Sequence, residues 1–198
     1  MKPVSEYQKV TGDLFVWQDY NPGCKTDCTS TAVRTPDGFV LIDPIRLEEQ
    51  AISRMVGDDK VAGVLLTNGN HVRDSLSEKK RLDVPIYAPE GAGGEVPADH
   101  WIKDGEILFQ VFQAIGLPGG GPGETAYLAP GVLVVGDALI HLDGLSILPD
   151  KYCGNARMLQ ESLHVLSSLD FEVVCFAHGL PIVEQAREKI ALAVGPTA

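Results

Sequence analysis

The chain has 198 residues and a formal net charge of −11, from 16 lysines and arginines against 27 aspartates and glutamates. Such an acidic balance repels nucleic acid and anionic membrane surfaces, so neither is expected as a partner. No run approaches the roughly 20 apolar residues of a membrane span, and the N-terminal segment lacks the apolar core of a secretory signal, so a cytoplasmic location is the default expectation.

The first part of the chain is rich in predicted strands. Three segments combine apolar and β-branched side chains and are predicted to be strands, namely residues 13–17, 29–35 and 39–44. Pro-Asp-Gly between the second and third segments predicts a hairpin turn. The loop 20–28 contains Cys24 and Cys28, but no second pair of cysteines or histidines stands at zinc-finger spacing, so a structural zinc site is not expected.

The rest of the chain alternates between helical and strand-like patterns. Apolar spacing predicts, in order, helix 46–56, strand 61–67, helix 73–82, strand 84–89, strands 106–115, 125–129 and 131–136, helix 155–169, a strand 172–179 that ends in His178-Gly179, and helix 181–194. This order predicts a single domain, residues 1–198, in which two sheets lie face to face with helices outside.

Five landmarks follow one another at the predicted strand ends. They are Asp43 in "VLIDP", Thr67 before "NGNHVRD", the stretch "LPGGGPG", Gly136-Asp137, and Ala177-His178-Gly179. Over about residues 13 to 190, this order and spacing resembles the metallo-β-lactamase fold superfamily. The resemblance implies an α+β fold, a four-layer αββα sandwich, whose metal site lies at one edge between the two sheets.

The resemblance also implies that most metal ligands have been replaced. The family's His-x-His-x-Asp-His motif and the His of its Pro-Gly-rich stretch fall on Asn68, Asn70, Val72, Arg73 and Gly120. Of the family's ligand positions, only those at Asp137 and His178 have a residue type that binds metal ions. Since zinc prefers imidazole, thiolate or carboxylate, and a guanidinium is a permanent cation, a dinuclear site of the family type is not expected.

A metal-free pocket is the expected arrangement. Arg73 is predicted to pair with Asp137 and so replace the charge of the metal, while Asn68 and Asn70 donate amide hydrogens to the same carboxylate. The alternative for Arg73 is a side chain exposed to solvent.

A single metal ion is a further interpretation. His71, Asp74, Asp137 and His178 are potential ligands, and such a set would bind one Zn, Mn or Fe ion weakly. Against this, His71 and Asp74 fall in spacer positions of the family motif, whose side chains normally point elsewhere.

Two functions follow from these arrangements. The first is a non-catalytic or small-ligand-binding relative that keeps the pocket without a cofactor. The alternative is a hydrolase of small esters or thioesters, with Asp137 and His178 as the catalytic pair and with or without one metal ion. The predicted pocket is lined by Asp43, Asn68, Asn70, His71, Arg73, Gly120 and Cys24. Its positive rim, Arg73 and Lys25, suits a small anionic ligand, and the oligomeric state is left open.

Overall fold

The computed structural model describes residues 2–195, which form two large β-sheets flanked by helices and one two-stranded sheet, β12-β13. In chain order the strands are β1 Gln8–Thr11, β2 Leu14–Asn21, β3 Thr26–Thr35, β4 Gly38–Ile42, β5 Val61–Leu65, β6 Ile86–Pro89, β7 His100–Ile102, β8 Ile107–Leu108, β9 Phe112–Gly116, β10 Thr125–Ala129, β11 Gly131–Val135, β12 Leu139–His141, β13 Leu145–Ile147 and β14 Phe171–Phe176. The α-helices are α1 Glu49–Val56, α2 Ser75–Leu82, α3 Ala156–Leu163 and α4 Ala186–Val194. Residues 1 and 196–198, which the single-domain prediction includes, lie outside the described residues.

The first sheet has seven strands in the order β1-β2-β3-β4-β5-β6-β7, and the second has five in the order β14-β11-β10-β9-β8. Hairpins join most antiparallel neighbours, whereas four pairs are parallel and need crossover connections. The connections of β4–β5, β5–β6 and β11–β14 contain α1, α2 and α3, and that of β6–β7 contains a 3₁₀ turn. None of the helices within residues 2–195 has the length and the apolar character that a membrane-spanning helix requires.

Alternating side chains along the strands divide the apolar core into layers. In β4, Val40 and Ile42 pack between the two sheets, while Leu41 packs in the cluster that includes α1. In β11, Val134 packs between the sheets and Leu133 packs in the cluster that includes α3 and α4. Since successive side chains of a strand point to opposite faces, each sheet is covered on both sides. The structure is therefore a four-layer αββα sandwich, as the sequence predicts.

The landmark residues gather because parallel strands end at the same edge of a sheet. They follow β4, β5, β11 and β14 by one or two positions, and they are Asp43, Thr67, Asp137 and His178. A backbone hydrogen bond joins the two sheets at this edge, because the Thr29 amide donates to the Ala177 carbonyl at 2.8 Å. The site therefore lies where the strand ends of both sheets meet.

The predicted helix 46–56 begins later, at Glu49. The Val4 amide donates to the Arg46 carbonyl and the Glu48 amide donates to the Val4 carbonyl, so this segment is extended and pairs with the N-terminal residues. The predicted helix 73–82 begins at Ser75, because Arg73 has a φ of 41°, outside the right-handed helical region.

The C-terminal elements are also shorter than predicted. The predicted helix 155–169 is α3 followed by a 3₁₀ segment at His164–Ser168. The predicted helix 181–194 begins at Ala186, because Ile182 exchanges two backbone hydrogen bonds with Val174 of β14.

In the middle of the chain, positive φ angles at residues 109 and 110 divide the predicted strand 106–115 into β8 and β9.

Tyr127 provides a test of the packing between the sheets. Its side chain is fully buried, and its hydroxyl donates to the Leu66 carbonyl at 2.6 Å. We expect Tyr127→Phe to lower the free energy of unfolding by about 1–2 kcal/mol, because the buried carbonyl loses its donor. Tyr20→Phe, at a position 55% exposed, is the control and should change it by less than about 0.5 kcal/mol. Urea denaturation measures both, and equal effects would contradict this role of the hydroxyl.

Candidate functional site

A buried aspartate at the end of β4 holds the loop that follows β5. Asp43 Oδ1 accepts a hydrogen bond from the Thr67 amide at 2.8 Å, and Asp43 Oδ2 lies 2.9 Å from His71 Nδ1. The Thr67 hydroxyl donates to the same Oδ2 at 2.5 Å. Asp43 has a φ of 48°, a left-handed conformation that aspartate tolerates better than most residues. Asp43 was predicted to line the pocket, but at 2% exposed it lies behind His71 and orients it.

Two imidazoles from different sheets face one carboxylate oxygen. His71 Nε2 and His178 Nε2 each lie 3.2 Å from Asp137 Oδ1, and the two ring centroids are 5.6 Å apart. The carbonyl of Asp27, in β3, lies 2.9 Å from His178 Nδ1 and fixes the orientation of that ring. Each histidine therefore has its Nδ1 against a protein oxygen and its Nε2 directed at Asp137.

The family pattern, in which position 71 is a spacer whose side chain points elsewhere, is wrong for His71, which lines the cavity. His71 ends a 3₁₀ turn, Gly69–His71, that Asn68 caps by accepting from the Asn70 amide at 2.9 Å. This turn brings the imidazole between Asp43 and Asp137. Asp74 does lie elsewhere, because its carboxylate accepts from the Arg46 amide at 2.9 Å.

The predicted contact between Arg73 and Asp137 is also wrong. The Arg73 guanidinium donates from Nη1 to the carbonyls of Thr29 and Asp43, at 2.6 and 2.8 Å, and from Nη2 to the carbonyl of Ala177 at 3.0 Å. These carbonyls lie in β3 and just after β4 and β14, so one side chain joins both sheets. Arg73 is partly buried rather than exposed. Backbone carbonyls accept the hydrogen bonds that the prediction gives to the Asp137 carboxylate.

A buried glutamate that the sequence interpretation did not single out supports the far side of Asp137. The Asn68 amide group donates to Glu124 Oε2 at 2.9 Å and to Asp137 Oδ2 at 3.2 Å. Glu124 also accepts from the amides of Gly121 and Ala138, both at 3.1 Å. Glycine is required at position 136, because a Cβ there would lie 2.5 Å from Glu124 Oε1.

The site opens into a cavity of about 760 Å³. Its polar lining includes His71, Arg73, Asp137 and His178, and its apolar lining includes Ile140, Leu142 and Leu148. Cys24, Lys25 and other residues of the β2–β3 hairpin also line it. A lining with polar and apolar parts suits a small molecule that carries a reactive polar group and an apolar part.

The remaining predicted pocket residues lie at different places. Asn70 lines the cavity, but of the two asparagines it is Asn68 whose side chain contacts Asp137. Gly120 lines a neighbouring groove with Asn70 and Tyr152 rather than the cavity itself. The sequence signal for Glu124 is its position directly after the glycine-rich stretch and before a buried strand. The contact of the Asp27 carbonyl has no sequence signal, because every residue has a backbone carbonyl.

The buried charges shift one another's pKa values. Burial alone lowers the pKa of His71, but the carboxylates of Asp43 and Asp137 outweigh burial and raise it to about 9. Burial raises the pKa of Asp137, yet the charge of His71 and hydrogen bonds from both histidines hold it far below its ordinary value. With no other cation bound, His71 is therefore an imidazolium between two carboxylates at neutral pH.

The fold and the position of this site define the class: an αββα sandwich that carries a polar site where the strand ends of its two sheets meet. The model of the metallo-β-lactamase superfamily matches residues 8–194. The chain therefore belongs to the metallo-β-lactamase superfamily, which confirms the resemblance seen in the sequence.

Individual relatives agree with this assignment. A hydroxyacylglutathione hydrolase from Xanthomonas euvesicatoria pv. vesicatoria (strain 85-10) is 30% identical over 166 residues, which cover 80% of this chain and 62% of that protein. The structure of TTHA1623 in a di-iron-bound form is 26% identical, with a TM-score of 0.64 over 84% of this chain and 94% of that one. DIM-1 metallo-β-lactamase is 16% identical and shares the fold, with a TM-score of 0.77 over 97% of each chain.

The role of Arg73 as a link between the sheets can be tested by a change that keeps its charge. We expect Arg73→Lys to lower the free energy of unfolding by about 1–3 kcal/mol, because one ammonium group cannot reach three carbonyls that a planar guanidinium bonds together. Arg157→Lys, at an exposed position of α3, should have little effect. Urea denaturation of both variants measures the difference, and an unchanged midpoint for Arg73→Lys would remove the link.

The raised pKa of Glu124 predicts that the free energy of unfolding decreases as the pH rises through neutrality. Burial, and then the charge of Asp137, raise the pKa of Glu124 from 4.5 to about 7. Its folded carboxyl therefore holds a proton that the unfolded chain releases, so its contribution is complete below about pH 4.5 and is lost as the pH rises through 7.

We expect Glu124→Gln to remove about 1–3 kcal/mol of the difference in unfolding free energy between about pH 5 and pH 8. Glu172→Gln, on the exposed side of β14, should leave this difference unchanged. Denaturant titrations at both pH values measure it. A Glu124→Gln variant that keeps the full pH dependence would show that Glu124 is not the group responsible.

Proposed function

We propose that this chain is a hydrolase of small esters or thioesters that binds one divalent metal ion at His71, Asp137 and His178. The observation that carries the proposal is that ligand atoms of these residues all lie within 4.8 Å of one another. Two histidines and one carboxylate, with further positions open, are a known ligand set for divalent zinc, manganese and iron.

The directions of the ligand atoms support a cation at this point. In the neutral form of each imidazole, a proton on Nδ1 faces a protein oxygen, Asp43 Oδ2 for His71 and the Asp27 carbonyl for His178. Both Nε2 lone pairs then face Asp137 Oδ1. Three electron-rich atoms at this separation repel one another unless a proton or a metal ion lies between them.

The surrounding residues resemble the outer shell of a metal site. Asp43 and Thr67 hold His71, and the Asn68 amide holds Asp137 Oδ2 while leaving Oδ1 toward the imidazoles. Such partners fix ligand orientation and tautomer in metalloproteins.

The dinuclear site of the family does not fit this chain. Asn68 is committed to carboxylates, Val72 has no ligand atom, and the Arg73 guanidinium is a fixed cation that lines the cavity. The proposal is therefore limited to one ion.

A divalent cation held by these residues supplies Lewis-acid polarisation of a substrate carbonyl. The chain itself supplies orientation. Ile140, Leu142 and Leu148 offer an apolar wall for an acyl or aryl group, and Lys25 at the rim offers a positive charge for a small anionic group. The name of the Xanthomonas relative supports hydrolysis as the reaction class, and the di-iron form of TTHA1623 supports iron among the candidate ions. This chain spans about three fifths of that relative's length, 62%, so the substrate is proposed only as a class.

Metal titration tests the proposal. We expect calorimetry of the metal-free protein with Zn²⁺ or Mn²⁺ to show one equivalent bound at micromolar concentration, and hydrolysis of chromogenic esters or thioesters to be lost with chelator and restored by metal. His71→Gln should abolish binding, and Asp43→Asn should weaken it about tenfold or more, because it releases His71. His100→Gln, at an exposed histidine of β7, is the control. Full binding in His71→Gln would refute the site.

The protonated form of the same cluster favours a second candidate, a metal-free pocket that binds a small anion. The raised pKa of His71, about 9, means that a proton already satisfies the electron-rich atoms when no metal is present. Absence of heat with micromolar metal, together with turnover that chelator does not affect, would favour Asp137 and His178 as an acid–base pair. Absence of any turnover would favour ligand binding alone.

A further inference from the structure

Two thiols lie side by side in the wall of the cavity. Asn21 of β2 pairs with Thr26 of β3, so residues 22–25 form the turn of a hairpin. Cys24 lies in this turn and is exposed, whereas Cys28 lies in β3 and is buried. Their Sγ atoms are 3.9 Å apart, which is direct contact, and both side chains line the cavity that contains the site.

The backbone between and beside these thiols holds the site. Asp27 lies between the two cysteines in the sequence, and its carbonyl lies 2.9 Å from His178 Nδ1. The carbonyl of Thr29, one residue beyond Cys28, accepts from Arg73 at 2.6 Å. A covalent change that moves this short segment therefore changes the acceptor that orients His178.

We propose that Cys24 and Cys28 are a redox-active dithiol. Thiol–disulfide exchange with a small-molecule disulfide, such as oxidised glutathione, converts them into an intramolecular disulfide, and the Cys24–Cys28 bond changes the orientation of His178. The first part stands on the geometry of the hairpin alone. The consequence for metal binding rests on the proposed function of the site.

The reaction needs two exchange steps. The Cys24 thiolate attacks one sulfur of oxidised glutathione, which forms a mixed disulfide and releases one glutathione thiolate. The Cys28 thiolate then attacks Cys24 Sγ, which forms the internal disulfide and releases the second glutathione. Two protein thiols lose two electrons and two protons, and one glutathione disulfide becomes two glutathione thiols.

Burial explains the order of these steps. Cys24 is exposed to the solvent and therefore accessible to a dissolved disulfide. Burial raises the pKa of Cys28 to about 11, although the nearby charge of Arg73 opposes this effect. Cys28 is thus poorly suited to attack a dissolved oxidant but lies against the sulfur of Cys24, where proximity compensates for its small thiolate fraction.

The first arm of the test is intact mass and thiol counting after treatment of the reduced protein with oxidised glutathione. We expect the loss of two hydrogen atoms and of two reactive thiols, reversed by dithiothreitol, with a peptide link between Cys24 and Cys28. Cys153→Ser, at a half-buried cysteine outside the hairpin, should behave like the parent protein. Cys24→Ser, at an exposed position, should form no internal disulfide. A stable glutathione adduct, a disulfide between two copies, or no reaction would overturn the proposal.

The second arm observes His178 directly. Nitrogen-15 spectra of the five histidines should show a shift of the His178 signals on oxidation, reversed by reduction and absent in Cys24→Ser. Unchanged signals in the oxidised protein would overturn the link between the disulfide and the site.

Metal affinity separates this inference from the proposed function. We expect the dissociation constants of Zn²⁺ for the reduced and oxidised protein to differ by about tenfold, because a changed outer-shell partner typically has an effect of this size. Equal affinities would overturn the regulatory part. If neither form binds metal, the metal site itself fails, and the mass and histidine spectra still decide whether the dithiol acts on His178.

Discussion

The arrangement of this site depends on the hydrogen bonds that the Arg73 guanidinium donates to backbone carbonyls. The guanidinium donates to carbonyls in β3 and just after β4 and β14, and so joins strand ends of both sheets at one point. A planar group with five donors suits several carbonyls at once, whereas a lysine ammonium would act as a point charge. Because His71 comes from the first sheet and His178 from the second, a link between the sheets at this point supports the arrangement in which both Nε2 atoms face Asp137.

The buried charges around that point balance one another. Asp43 and Asp137 flank His71, and Arg73 adds a second positive charge beside the Asp43 backbone. A carboxylate buried without a partner is strongly unfavourable, so each needs a cation close by. A proton on His71 meets this need in the metal-free protein, and a metal ion would meet it by taking the same position. The folding of the loop after β5 and the binding chemistry of the site therefore depend on the same pair of carboxylates.

The fold and the edge that carries the site could be predicted because they follow from strand order. Asp43, Thr67, Asp137 and His178 all come just after parallel strands, whose carboxyl ends meet. The family motif does not give the direction of the His71 side chain, since it depends on a 3₁₀ turn that Asn68 caps through its side chain. Motif spacing treats that position as a spacer and cannot register the turn.

The error for Arg73 has a related cause. The predicted pair of Arg73 and Asp137 matches opposite charges in the family pattern, but the backbone carbonyls of Thr29, Asp43 and Ala177 accept the hydrogen bonds of the guanidinium instead. Backbone acceptors are invisible in a sequence, and β3 provides two of them, Asp27 for His178 and Thr29 for Arg73. The orientations of Arg73 and His178, which both line the cavity, therefore depend in part on the same strand, β3. Since Cys24 and Cys28 lie on either side of Asp27, a covalent change at these thiols acts on the short segment whose carbonyl orients His178.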